Sequence, residues 1–156
     1  RISGSCAQPS NNLTYSHPQL AQAHPSDLPG LGKFDLAVSL SSFDHDGLGR
    51  YGDPVRPDAD LAAMVLVRLV LAADELPQGR GVLLLSVPVG PDVVVWNLHR
   101  RYGPVRLPLL LDGWRVLERL GWEEGRLTAE ASWRRSYEPL LVLRPLGGAA
   151  AGHAEL

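Results

Sequence analysis

The chain has 156 residues, of which 45% are hydrophobic, and a formal net charge of −2 at pH 7. This length fits one domain with a real core, and the interspersed acids and arginines argue against nucleic acid as a partner. The single cysteine, Cys6, excludes an internal disulfide and a cysteine-rich zinc site.

Residues 1–32 are rich in Ser, Pro, Asn and Gln, and their prolines interrupt any periodic pattern, so we predict an irregular N-terminal segment. No secretory signal pattern is visible, and because the first residue is Arg1 we expect the N-terminus to be incomplete. The longest apolar stretch, 61–73, is too short to cross a bilayer and contains Arg68, so we expect no membrane span. Compartment and oligomeric state are left open by these residues.

From Lys33 onward the pattern predicts alternating strands and helices. The apolar runs 34–43 and 82–89 have the length of strands buried on both faces, and the segment from Asp58 to about Ala72 repeats its apolar residues at helical spacing. Strand, helix and strand in this order predict a right-handed βαβ unit with two parallel strands. Their trailing polar segments should then meet at one edge of the sheet.

The C-terminal part predicts a short strand at 93–96, a helix from Leu107 or Leu110 to Gly121, and two strands at 126–134 and 140–145 that pair antiparallel. The Ala/Gly-rich tail 147–156 should be flexible. We therefore expect an α/β fold: a Rossmann-like parallel sheet flanked by helices, with a C-terminal antiparallel hairpin and an incomplete first half. The domain would span 33–146, and 1–32 would be a remnant of the missing half.

Two polar clusters follow the predicted parallel strands. His45 is a candidate general base because its ring titrates near neutral pH, and Asp44 beside it could orient or charge the imidazole. The alternative is that Asp44 caps local backbone and His45 packs the loop. A facial metal triad of His45, His99 and a carboxylate has no support in the spacing, so we predict no metal site.

The second cluster runs from Asn97 to Tyr102. His99 is a candidate acid or base, and Arg100 or Arg101 could bind a carboxylate or phosphate through the planar guanidinium. Exposed arginine pairs are also common on solvated surfaces. Convergence of both clusters at one edge of the sheet predicts a site for a small-molecule substrate.

The segment 47–52 matches the pattern G-x-G-x-x-G after a predicted strand. In a dinucleotide site the third glycine lies inside a helix, whereas Pro54 and Pro57 delay this helix to about Asp58. We interpret the segment as a structural loop with positive-φ glycines. Exposed N–H groups beside Arg50 offer a second interpretation, a cradle for an anionic group.

The strings HDGLGRYGDP (45–54), VPVG (87–90) and NLHRRYGPVRLP (97–108) resemble the DUF268 family, which is itself methyltransferase-like. The segment 34–45 resembles the fourth strand of class I S-adenosylmethionine-dependent methyltransferases and the acidic-His pair after it. The resemblance implies S-adenosylmethionine as cofactor and a small polar or anionic acceptor. The implied catalytic residues are His45, His99 and Asp44; the substrate-binding residues are Arg50, Tyr51, Asn97, Arg100 and Tyr102; the cofactor-binding residues are Ser41 and Ser42.

The sequence departs from the methyltransferase pattern in its first part. Residues 1–32 contain neither a glycine-rich loop after a strand nor an acid at the end of a second strand. Either this part lies upstream of Arg1 or the chain does not bind the cofactor. The alternative function is therefore a non-catalytic binding or interaction domain that has lost the cofactor loop.

Overall fold

A computed structural model describes residues 34–71, 81–129 and 136–146. Among these residues there are two α-helices, six strands and one 3-10 helix. The helices are α1 (Ala59–Val70) and α2 (Arg106–Leu110), and the 3-10 helix is Phe43–His45. The strands are β1 (Leu36–Leu40), β2 (Val82–Ser86), β3 (Val93–Val95), β4 (His99–Arg101), β5 (Trp114–Leu120) and β6 (Leu140–Pro145). No helix in these ranges has the length and apolar character needed to cross a membrane.

The main sheet has the strand order β1-β2-β6-β5. β1 and β2 are parallel, with Leu36 opposite Val82 and Leu40 opposite Ser86, and α1 lies between them in the sequence. β6 is antiparallel to both β2 and β5, and β3 and β4 form a separate antiparallel ribbon. The predicted parallel pair with an intervening helix is therefore confirmed.

The predicted Rossmann-like parallel sheet flanked by helices is wrong for the described residues. Strands outnumber α-helices six to two, and the sheets contain one parallel pair and three antiparallel pairs. The predicted helix up to Gly121 is helical only at Arg106–Leu110, after which the chain turns at Gly113 (φ 78°) and continues as β5. A mainly β arrangement with a mixed sheet replaces the predicted α/β fold.

A bulge in β5 explains why this strand has the sequence pattern of a helix. The register shifts between Val116 and Glu118, so the regular alternation of inward and outward side chains is interrupted there. Trp114 faces the core, whereas Leu117 and Leu120 are exposed. Trp114, Leu117 and Leu120 are spaced by three residues, as on one face of a helix, although Trp114 lies on a different face of the strand from the other two.

The prediction that the run 34–43 forms a strand buried on both faces is also wrong. β1 stands at the edge of the sheet in the described part of the chain. Leu36, Val38 and Leu40 are 55%, 56% and 60% exposed, while the small residue Ser39 faces the interior at 7%. An apolar run of strand length carries no signal about whether a second layer covers it.

The predicted hairpin of 126–134 with 140–145 is half correct. β6 occupies Leu140–Pro145 as predicted, but its antiparallel partners are β2 and β5. Residues 126–129 form turns, and 130–135 lie outside the described residues. The predicted irregular segment 1–32 and the predicted flexible tail 147–156 also lie outside them.

The hydrophobic core joins the helices to one face of the main sheet. Buried side chains of α1 (Met64, Val67) and of α2 (Leu107, Leu110) belong to one cluster with the inward residues of β2 and β6. Those inward residues are Leu83, Leu85, Leu141 and Leu143. This core fixes β1 and β2, and hence the loops that follow them, in one frame.

Candidate functional site

Three chain segments meet at the edge of the sheet where the parallel strands end. The 3-10 helix Phe43–His45 follows β1, the β3-β4 ribbon follows β2, and Glu138 stands just before the antiparallel strand β6. A parallel bridge between Val89 and Tyr102 ties the ribbon to the end of β2, and the Val89 N–H donates to the Tyr137 carbonyl at 2.8 Å. The structure thus brings the two predicted polar clusters together.

Asp44 is a buried carboxyl beside an imidazole. Its side chain is 1% exposed, and Oδ2 lies 3.4 Å from Nε2 of His45. Within the described residues, neither carboxylate oxygen accepts a hydrogen bond. Burial raises the pKa of Asp44 to about 6, although the nearby charge of His45 acts in the opposite direction.

His45 is oriented through both ring nitrogens. Nδ1 is hydrogen-bonded to the backbone carbonyl of Leu98, and Nε2 faces Asp44. Because a carbonyl only accepts, Nδ1 carries a hydrogen in this arrangement. Nε2 lies 3.4 Å from the Asp44 carboxyl, so the two groups are placed to exchange a proton.

His99 is half-buried on β4, opposite Val95 of β3. Burial lowers the pKa of His99, the positive charges of His45, Arg101 and Arg50 lower it further, and Glu138 opposes them. A lowered pKa keeps the ring neutral at physiological pH, so that it can accept a proton. Along the described ranges, no protein group hydrogen-bonds to the His99 ring.

Glu138 belongs to this cluster but was not among the predicted site residues. Its charge acts on both Asp44 and His99, raising the pKa of each. One signal could have found it. An antiparallel strand begins at the edge where parallel strands end, so a polar residue before β6 belongs to the same edge as Asp44.

Arg100, a predicted substrate contact, is 2% exposed. Its guanidinium donates to the backbone carbonyl of Asp46, and also to the carbonyls of Arg56 at 3.3 Å and Pro57 at 3.4 Å. These bonds fasten β4 to the loop that precedes α1. They explain why the charged side chain is buried, and its role as a substrate contact stays a prediction.

Tyr102, also a predicted substrate contact, is fully buried. Its hydroxyl donates to Oδ2 of Asp60 at 3.0 Å, and Arg106 donates to both oxygens of the same carboxylate, at 2.9 and 2.6 Å. Burial and the charge of Asp60 raise the pKa of Tyr102, so the hydroxyl keeps its proton. The group joins α1, β4 and α2, and a substrate role for Tyr102 stays a prediction.

The other predicted site residues are more exposed to solvent. Tyr51 is 50% exposed and its ring stands edge-on to His45 with the centroids 5.8 Å apart, while Arg50 lies 5.7 Å from the Tyr51 ring centroid. Asn97 is exposed in the turn between β3 and β4. Ser41 is exposed with a left-handed backbone (φ 46°), and Ser42 is half-buried; both link β1 to the 3-10 helix.

The glycine-rich loop, residues 47–52, is held in its conformation by the carboxylate of Asp53. Asp53, which is 4% exposed, accepts the N–H groups of Gly49 at 3.3 Å and Tyr51 at 3.2 Å. Burial acts to raise the pKa of Asp53, but these backbone hydrogen bonds outweigh it and the pKa is lowered. The positive-φ glycines of the predicted structural loop are confirmed. Asp53 binds the N–H groups of Gly49 and Tyr51, and the cradle for an external anion stays a prediction.

The described residues contain no group of three or more His, Cys, Asp or Glu side chains placed to hold a metal ion. What they do contain is an acid-base cluster: a buried carboxyl, an oriented imidazole, a second imidazole with a lowered pKa, and a nearby carboxylate. Such a group can transfer protons to and from a bound molecule.

Comparison with known proteins gives one positive result. A family model described as "Caenorhabditis protein of unknown function, DUF268" matches residues 26–135, which is more than half of the chain. No curated protein and no solved structure is significantly similar to the chain.

Proposed function

The chain belongs to the DUF268 family, whose function is unknown, and we propose that this member is an acid-base enzyme acting on a small polar molecule. In this proposal His99 exchanges the proton with the ligand, and Asp44 and His45 set the charge beside it. One observation supports it above all: the buried carboxyl of Asp44, which accepts no hydrogen bond from the described residues, faces an imidazole oriented by a backbone carbonyl. Structural carboxyls that are buried are ordinarily hydrogen-bonded, as Asp53 and Asp60 are in this chain.

The two histidines take different parts in the reaction. Both ring nitrogens of His45 face protein groups, so His45 acts on the ligand indirectly, as a positioning residue whose charge lowers the pKa of His99. His99 is the group that contacts the ligand. Its neutral ring accepts the proton of a ligand O–H or N–H group; His99 becomes an imidazolium, and the ligand heteroatom is left with the electron pair that makes it a nucleophile.

Methyl transfer from S-adenosylmethionine is the specific reaction implied by the family resemblance, with Ser41 and Ser42 as cofactor contacts. The described residues do not fit this cofactor by themselves. Its ribose hydroxyls are normally bound by an accessible carboxylate, whereas Asp44, two residues after Ser42, is buried. The proposed proton transfer therefore uses no cofactor, and methyl transfer is the more specific form of the proposal.

A non-catalytic binding domain is the second candidate. The observation in its favour is that the polar groups of Asp53, Arg100 and Tyr102 form hydrogen bonds within the protein, which connect its loops, strands and helices. In this case the site would bind a small molecule without changing it, and the Asp44–His45 pair would only set the charge of the site.

The test is a nuclear magnetic resonance screen of small polar compounds against the full chain, monitored at the histidine ring resonances. The proposal expects hits that carry an ionisable O–H or N–H group, shift the His99 signal and bind at least ten times more weakly to His99→Gln. Asp112→Asn, at an exposed position, is the control and should bind like the wild type. Hits that bind His99→Gln and the wild type equally well would contradict the proposal.

Two further measurements distinguish the candidates. If hits bind at His99 but are recovered unchanged after incubation with S-adenosylmethionine or alone, the binding domain is favoured. Calorimetric titration with S-adenosylhomocysteine tests the methyl-transfer form separately. No heat of binding in the full chain would exclude that form and leave the acid-base proposal standing.

A further inference from the structure

We infer that the outer face of the main sheet is a docking surface for an amphipathic helix of a partner protein, a helix with apolar side chains along one side and an acidic side chain at one end. The outer face consists of the side chains on β1, β2, β6 and β5 that point away from the hydrophobic core. It contains none of the residues assigned to the proton chemistry. The inference therefore stands independently of the proposed function.

Pairing between β1 and β2 builds the first half of the outer face. Residues directly opposite each other in paired strands lie on the same face of a sheet, and Leu83 and Leu85 point into the core, so their neighbours on β2 point outward. The outward side chains of β1 are all more than half exposed. The outward residues of the two strands are opposed as Leu36 to Val82, Val38 to Leu84 and Leu40 to Ser86.

The apolar surface continues onto β6 and β5. Val142 of β6 lies opposite Leu84 of β2. Leu140 lies between Ser86 on one side and Leu120 of β5 on the other. The buried side chains of α1 and α2 belong to the core on the inner face, so neither helix covers the outer one. A contiguous exposed apolar surface of this kind marks an interaction site.

Two arginines stand at one end of this apolar surface. Arg144 of β6 lies two positions along the strand from Val142, so it shares the outer face, and Arg115 of β5 is directly opposite Arg144. Like charges in directly opposed positions repel each other. Within the described ranges the buried Nε of Arg144 donates no hydrogen bond, and neither guanidinium forms an ion pair. A carboxylate on the molecule that covers this face would be bound by both guanidinium groups.

A second copy of the chain does not supply that carboxylate. Among the paired residues of the outer face the acid is Glu118, which lies opposite Val142 in the middle of the face, away from its end. Two copies stacked face to face about a two-fold axis would set the arginines either against the apolar side chains of β1 and β2 or against Leu120 and Leu140. The acid must therefore come from a different protein.

A helix matches the length of the face and the packing that this sheet already uses. From Arg144 to Leu140 the strand extends over about 13 Å at ~3.3 Å per residue, a distance that about nine helical residues cover at 1.5 Å each. The inner face of the same sheet is covered by helices. A helix with apolar residues spaced by three and four positions would contact Val142 and Leu84, and an acid at its end would reach Arg144.

The experiment is a nuclear magnetic resonance titration of the full chain with a synthetic amphipathic peptide of about 18 residues, leucine-rich on one side and ending in Glu. A second peptide ends in Lys. The Glu peptide should shift the signals of Val38, Leu84 and Val142 saturably and should bind about tenfold more tightly than the Lys peptide. In the charge-reversed variant R115E/R144E the order of the two peptides should be inverted.

The variant V38E should weaken binding of the Glu peptide by about tenfold or more, because it places a charge in the apolar surface. V55E is the matched control, since Val55 is 62% exposed, Val38 is 56% exposed, and Val55 lies outside the sheet. Circular dichroism shows whether each variant is folded. Should V38E fail to fold, the inverted preference of R115E/R144E decides the question.

Saturable binding that prefers the Glu peptide, persists in V55E and inverts its preference in R115E/R144E supports the inference. Equal affinity of the wild type for the two peptides, or equal losses in V38E and V55E, overturns it. The absence of any saturable shift overturns it as well, and indicates that other residues of the chain cover the face. Sedimentation with vesicles of phosphatidylcholine and phosphatidylserine tests the remaining occupant. Binding to vesicles without binding to the peptides would assign the face to a membrane surface and overturn the helix.

Discussion

Oδ2 of Asp44 lies 3.4 Å from Nε2 of His45, while the Asp44 side chain is 1% exposed and accepts no hydrogen bond within the described ranges. A carboxylate in such surroundings lowers stability because it leaves water without gaining full compensation. This unfavourable contribution of Asp44 to the free energy of folding arises where β1 ends and β4 packs against the 3-10 helix. Stability and proton chemistry should therefore respond in opposite directions to changes at Asp44.

Replacement of Asp44 by Asn should stabilise the protein at pH 7.5 but not at pH 4. The folded-state pKa of about 6 lies above 3.8, the ordinary pKa of an aspartate, so the contribution of Asp44 to stability is complete below pH 3.8 and is lost as the pH rises through 6. The neutral amide removes this loss, which amounts to at most about 3 kcal/mol. Urea denaturation at the two pH values measures the difference, with Asp112→Asn as control. A variant equally stabilised at both pH values would show that the charge is not the cause.

Replacement of Gly47 by Ala should cost much more stability than the same change at Gly52. Both glycines have positive φ (72° and 84°), so each alanine costs about 1–2 kcal/mol of backbone strain. At Gly47 the new Cβ would also lie 2.1 Å from the Arg56 carbonyl oxygen, whereas nothing stands within 4 Å at Gly52. Thermal or urea unfolding of the two variants gives the comparison. Equal losses would mean that the loop is free to move away from Arg56.

Replacement of Asp53 by Ala should loosen the glycine-rich loop. Two backbone N–H groups lose their acceptor, which should cost roughly 2–4 kcal/mol and speed hydrogen exchange at Gly49 and Tyr51. Because the pKa of Asp53 is lowered in the folded state, its contribution is present above pH 3.8 and declines on acidification. Asp53→Asn keeps one oxygen acceptor and should recover part of the protection. Unchanged exchange rates in the Ala variant would show that the loop does not depend on this carboxylate.

Replacement of Arg100 by Met should destabilise the protein by roughly 3–5 kcal/mol, because removal of a buried charged donor leaves its partners without compensation. The carbonyls of Asp46, Arg56 and Pro57 each accept a bond from this side chain. Arg115→Met, at an exposed position on β5, should change stability by less than about 0.5 kcal/mol. Similar losses in the two variants would remove Arg100 from its structural role.

The sequence predicted the parallel pair and the strand Leu140–Pro145 because continuous apolar runs and helical spacing are local signals. It failed for β5, where the bulge after Val116 converts a strand pattern into a helical one. It also failed for the exposed face of β1, since the presence of a covering layer depends on the rest of the fold.

The candidate site shows the same division. The proximity of His45 and His99 was predictable, because polar loops that follow parallel strands lie at the same edge of the sheet. The burial of Arg100 was not predictable, because its carbonyl acceptors lie 43 to 54 residues earlier in the chain. Glu138 was missed because its place depends on an antiparallel strand inserted next to β2.

The carboxylate of Asp53 gives the segment around Arg50 and Tyr51 its shape before any other molecule arrives. The conformational entropy of this backbone is then lost during folding, and association with a ligand does not have to supply it. A molecule that reaches this segment should therefore bind to a preformed surface. Association should be fast, and the main chain should rearrange little. Selectivity would come from the reach of the arginine and tyrosine side chains, not from closure of the loop.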